Sequence, residues 1–166
     1  MTTYTDMQQA YARFRDARDQ YDSWLQEHLL SSVKGYEAHL GLEGKRARLN
    51  GSVERYVQVG DPFGADGFKS GAFENMARSG AELRIYMRLI LEESESSHQK
   101  AWAVLKLTCA RQGDSVIYMI EPHDMARVEP VSVRIPASLE PPQRTDLYQA
   151  MSDVVMQVLD PTPYEE

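Results

Sequence analysis

The chain of 166 residues contains one cysteine, Cys109, which rules out an internal disulfide and any multi-cysteine metal site. It also lacks a long apolar run. The most apolar strip, residues 83–91, is broken by Arg84 and Arg88 and is far shorter than the roughly 20 residues a membrane-spanning helix needs. Only four histidines occur, and no two stand at a zinc-ligand spacing. The patterns G-x-S-x-G, G-x-G-x-x-G and G-K-[ST] are absent, which removes the usual signatures of a nucleophile elbow and of a phosphate cradle. The first twenty residues have no basic stretch leading into an apolar one. A secretory signal is therefore not expected, and the sequence reads as cytoplasmic.

What is present is an ordinary folded composition, with 42% hydrophobic and 26% charged residues, so disorder is not the default. The formal net charge is −7. Residues 101–166 hold 5 Lys/Arg against 10 Asp/Glu, so the excess lies mostly in the last third. A field of that sign disfavours nucleic acid, whose phosphates need neutralising cations, and suits a basic protein partner.

The strongest local signal is N-terminal. Thr5 followed by Gln8 has the spacing of a capping box, and Asp6 suits the positive end of a helix dipole. Met7, Tyr11, Phe14, Tyr21, Trp24, Leu25, His28 and Leu29 then recur at three- and four-residue steps, predicting one helix from Thr5 to about Leu30. The stripe is wide and aromatic, which predicts packing on a sheet, with a homodimer through this helix as the alternative. Glycines 35, 41, 44 and 51 predict irregular chain, with Lys45, Arg46 and Arg48 as a solvated cluster.

Strand signals follow. Residues 53–59 alternate as a first strand, and residues 60–80, rich in glycine, read as a long loop with a short helix near Phe73 and Met76. Leu83, Ile85, Met87, Leu89 and Leu91 alternate with Arg84, Tyr86, Arg88 and Glu92 in the cleanest strand. Residues 101–110, 116–120 and 127–135 continue a meander, with Pro130 placing the last strand at an edge. Thr145 is the expected N-cap of a closing helix whose apolar face is Leu147, Met151, Val154, Val155 and Val158, followed by an acidic tail over 160–166. The expectation is one α+β domain over 1–166: a long N-terminal helix on a four- to five-stranded antiparallel sheet, with a short C-terminal helix.

Candidate chemistry is sparse. Glu121-Pro122-His123-Asp124 is the best cluster of possible metal or proton-transfer groups, but it reads as turn residues. Asp61, Asp66 and Gly67 lack the alternating oxygen ligands of a calcium loop, so neither metal nor cofactor is expected. Cys109 falls on a strand, where a buried thiol is inert. The binding candidates are Phe63, Phe68 and Phe73 in the glycine-rich stretch, and Tyr86 and Arg88 on the wet face of the sheet. Arg84, Lys106 and Tyr118 join that face, depending on register. The first functional expectation is a non-enzymatic protein-binding module of the adaptor, secretion-chaperone or toxin-neutralising kind. The alternative comes from architecture alone. A helix followed by a curved sheet resembles cystatin-like or NTF2-like cones, which would imply a cavity binding or converting a small apolar ligand.

Overall fold

A computed structural model describes residues 1–65, 67–71, 77–94, 100–123 and 127–165. Phe73, with Asp66, Met76, His98 and Asp124, lies outside the described residues. The architecture is α+β. Helix α1 (Tyr4–His39) is followed by strands β1 (Arg46–Leu49), β2 (Ser52–Arg55), β3 (Val57–Gly64), β4 (Gly67–Ser70), β5 (Ala77–Ser79), β6 (Glu82–Glu92), β7 (Lys100–Gln112), β8 (Ser115–Pro122) and β9 (Val131–Pro136), then helix α2 (Thr145–Val158). All pairings are antiparallel. The main sheet runs β4-β3-β6-β7-β8-β9, with β5 also on β6, and β1-β2 form a separate hairpin.

Helix α1 starts earlier and ends later than its pattern predicts. Thr3, not Thr5, is the N-cap: its hydroxyl accepts from Asp6 N at 3.2 Å, while the Asp6 carboxylate accepts from Thr3 N at 2.7 Å. Those hydrogen bonds hold the Asp6 pKa below its ordinary value. Gly35 lies inside the helix because Tyr148 of α2 crosses there; a Cβ would sit 1.9 Å from Tyr148 Oη. Gly41, at φ +72°, follows the helix end and takes the left-handed conformation that stops it.

More of the chain is strand than its pattern predicts, for two reasons. Asn50 and Gly51 both have positive φ, the geometry of a tight hairpin turn, and join β1 to β2 where irregular chain was expected. The first strand is then interrupted at Tyr56, so that residues 53–59 divide between β2 and β3. Among its described residues the glycine-rich stretch is also largely strand. At Gly60 a Cβ would meet Lys69 O at 2.2 Å and the Phe68 ring at 2.7 Å, so glycine is what lets β4 and its phenylalanine close on β3.

One face of the sheet carries the core. Leu83, Ile85, Met87 and Leu89 of β6 meet Leu105, Leu107 and Cys109 of β7, with Tyr118 and Ile120 of β8 beside them. The second half of α1 and the whole of α2 cover this face. In α1 burial begins at Leu25 and continues through Leu29, Val33 and Tyr36; in α2 it takes Leu147, Met151, Val154 and Val155, while Val158 is half-buried. The α2 cap residue is Arg144 and not Thr145. Strand β9 lies at the sheet edge and begins only after Pro130, not at Arg127. The expectation that the whole N-terminal stripe packs on the sheet is not met: Tyr4, Met7, Tyr11 and Phe14 are exposed. No described helix is long and apolar enough to cross a membrane.

Candidate functional site: the uncovered sheet face

Strand alternation sends the other set of side chains to the opposite face, away from the core that α1 and α2 cover; at one end of it Ile90 is buried with Ala47 of β1 and with Tyr56. Tyr86 stands across from Lys106, and Lys106 from Glu121, as one row over β6, β7 and β8. Lys106 Nζ and the Glu121 carboxylate are 2.5 Å apart. Arg88 and Trp102 occupy the next rows towards the β1-β2 hairpin, and Met119 lies on the other side of Glu121.

Phe63 joins this face through an irregularity. Simple alternation from Val57 and Val59 would point it into the core. The β3-β4 register shifts between Asp61 and Gly64, and Asp61 Oδ1 accepts from Phe63 N at 2.8 Å. A bulge of this kind re-aims one side chain. The Phe63 ring then meets Tyr86 at 5.1 Å and His123 at 5.2 Å, both edge to face. Tyr86 and His123 are themselves 5.4 Å apart.

Arg88 is the electrostatic centre. Although on the uncovered face, it is only 5% exposed, because its guanidinium lies 4.6 Å from the Phe68 ring centroid and 5.5 Å from that of Trp102. One Nη donates to Gln58 Oε1, and Gln58 donates to Glu54 at 2.6 Å. Arg88 Nε has no hydrogen-bond partner among the described residues. Burial lowers the Arg88 pKa, with the Glu54 charge opposing. The aromatic planes replace part of the lost hydration.

Four of the five binding candidates, Phe63, Phe68, Tyr86 and Arg88, therefore share one surface. His123, which the sequence offers as a proton-transfer or turn residue, joins them as a ring contact of Phe63 and Tyr86; Trp102 belongs with them too, and its only sequence signal is the strand parity it shares with Lys106. Tyr118 is a correction. It faces the core and is fully buried, because its register partner is Cys109 on the covered face.

The remaining reactive groups lie inside the core. Burial pushes the Cys109 thiol up to about 12. His28 Nδ1 is 2.6 Å from Tyr118 Oη, which is 2.9 Å from Ser32 Oγ. Arg144 Nη1 donates to Ser32 Oγ and to the His28 carbonyl, tying α1 to the start of α2. His28 Nε2 has no hydrogen-bond partner among the described residues. A proton on Nδ1, donated to Tyr118, leaves only an acceptor unpaired there. Burial and then the Arg144 charge lower the His28 pKa to about 4. His28 is thus a neutral core residue. Among the described residues no three His, Cys, Asp or Glu side chains cluster closely enough to hold a metal ion.

A groove of about 550 Å³ runs between α1 and β3, floored by Leu30, Val33, Val57 and Val59. Lys34 and the Glu37–Arg55 ion pair stand at its rim. Neither Asp61 nor His123 lines it.

No protein-family model matches the chain, and neither a curated protein nor a solved structure matches it.

Proposed function

We propose that the chain is a non-enzymatic protein-binding module whose docking surface is the uncovered face of its sheet. The observation that carries this reading is the exposure of Phe63 (68%), Trp102 (42%) and Met119 (44%) on the sheet face that also holds the stacked Arg88. Aromatic residues, methionine and arginine are the types enriched where proteins meet. Large apolar side chains so exposed on a sheet surface favour a partner over a solvated role. Phe68 and Arg88 are held by one another and Tyr86 by Phe63 and His123, so little side-chain freedom is lost when a partner covers them.

The partner's charge follows the face and not the chain. A basic partner was the expectation from the net charge of −7. On this face, however, the exposed cations Arg84 and Arg134 outnumber the exposed Glu82, while Glu121 is paired to Lys106. A partner segment with apolar side chains and acidic flanks suits that pattern. A single-stranded nucleic acid would need free ring faces for stacking, yet Phe63 is engaged edge to face and Phe68 lies against Arg88.

Immobilised chain, wild type or with Phe63, Trp102 and Met119 all changed to Ser, tests this reading in a lysate of its own cells. A stoichiometric protein retained by the folded wild type and lost by the folded triple variant is the expected result. Equal retention by both would place binding elsewhere.

The groove beside α1 favours a second reading, a small amphiphile with its apolar body on Val57 and Val59 and an acidic head at Lys34. A small molecule retained by the purified chain in native mass spectrometry, and lost on Val59→Glu, would support that reading over the first.

A further inference from the structure

We infer that the overhanging half of α1 pairs antiparallel with the same segment of a second copy of this chain. The inference does not depend on the sheet face, which points the other way from the core-facing stripe of the helix.

Tyr21 is where the helix leaves the sheet. Its hydroxyl donates to Ala81 O at 2.8 Å and accepts from Arg111 N at 3.1 Å, joining the helix to the tips of two hairpins. Before it, residues 4–20 overhang by about 25 Å at 1.5 Å per residue. All of them are exposed except the half-buried Ala12. Yet Tyr4, Met7, Tyr11 and Phe14 form an apolar line at steps of three, four and three, and each is 56–75% exposed. This line continues the stripe that α1 buries from Tyr21 onward.

The spacing names the shape of the occupant. The three-four steps give a seam with a 3.5-residue period, and beyond the end of the sheet another helix is the shape that fits it. Charge then selects a second copy. The body of the chain is acidic, but residues 4–20 carry Asp6, Asp16 and Asp19 against Arg13, Arg15 and Arg18, and are neutral. Two copies can meet there without the repulsion they would feel elsewhere.

Arg18 selects the direction. It occupies the next seam position after Phe14, with its guanidinium 5.7 Å from the Phe14 ring centroid. A parallel pair would set Arg18 against Arg18 of the second copy. Like charges at a seam disfavour that arrangement. In an antiparallel pair Tyr4 lies opposite the second copy's Phe14, and Met7 opposite its Tyr11. Arg18 then falls beyond the overlap. The helix dipoles of the two copies then run antiparallel, which favours this arrangement. The two Tyr21 residues would be roughly 35 Å apart along the axis, so the acidic bodies stay separate.

Sedimentation of the full chain across 1–100 µM tests the pairing, together with oxidative trapping of single-cysteine variants. The expected result is a reversible dimer, with Tyr11→Glu raising its Kd by about 100-fold while circular dichroism shows the fold retained. A mixture of Met7→Cys and Tyr11→Cys chains should form a disulfide-linked heterodimer, because residues 7 and 11 face each other. A chain that stays monomeric at 100 µM overturns the inference, as does a dimer unaffected by Tyr11→Glu. Efficient self-trapping of Tyr11→Cys alone overturns the antiparallel direction. A monomeric result leaves the sheet face as a docking surface untouched, since that reading is scored on Phe63, Trp102 and Met119.

Discussion

The guanidinium of Arg88 packs against the ring of Phe68 at 4.6 Å, and this contact links the candidate face to the strand pairing beneath it. Phe68 can lie there only because Gly60 offers no side chain. Buried cations cost hydration, so the stacked planes and the Gln58 bond offset a penalty as well as adding attraction. Arg88→Met keeps the apolar bulk and removes the charge. Its stability should lie within about 1 kcal/mol of wild type, whereas Arg88→Ala, which also leaves Phe68 and Trp102 unsupported, should lose about 2 kcal/mol. Urea unfolding measures both. Equal losses would mean that the charge, and not the packing, matters at this position.

Gly35 gives a second prediction. An exposed helical glycine replaced by alanine usually gains about 1 kcal/mol. Here the added Cβ would overlap Tyr148 Oη, which is fixed by donating to Pro141 O at 2.6 Å. Gly35→Ala should therefore destabilise, by about 1–3 kcal/mol. In a Tyr148→Phe background part of that loss should be recovered; no recovery in thermal melts would contradict the contact.

His28 ties stability to pH. In the fold it is held neutral, with its pKa lowered from 6.5 to about 4. Between those values the unfolded chain binds the proton and the folded chain does not. Stability is thus complete above pH 6.5 and is lost as pH falls towards 4, by about 3 kcal/mol in all. His28→Asn keeps a donor near the Nδ1 position without a titrating group, and should flatten the pH dependence of the melting temperature across that window. An unchanged slope would assign the acid sensitivity to other groups.

Cys109 is buried, and its thiol is pushed up to about 12. Labelling by a thiol-specific reagent at pH 8 should be negligible in the native chain and complete in denaturant. Rapid native labelling would contradict the burial of β7.

The sequence pattern reported the sheet centre well, because β6 and β7 alternate cleanly between an apolar face and a polar one. It underread the edges. Gly60 and Gly64 suggested a loop, since glycine is a poor strand former in isolation; the close approach of Lys69 and Phe68 that requires glycine is visible only in the fold. The turn at Asn50-Gly51 was legible, being a strong hairpin signal, yet the neighbouring glycines masked it. The candidate site was legible in its residue types and not in its geometry. Phe63 reaches Tyr86 through a register shift that no alternation rule foretells. The α1 stripe read as continuous, while only its second half has a sheet to cover, because the hairpin tips at Ala81 and Arg111 end the surface near Tyr21.

The central claim is that the uncovered sheet face meets a protein. Photo-cross-linking tests it most directly, with a photoreactive residue placed at Trp102 in one chain and at the exposed Asp153 of α2 in another, each irradiated in cells. One adduct of defined protein mass is expected from position 102 and none from position 153. No adduct from 102, or the same adduct from both positions, would contradict it.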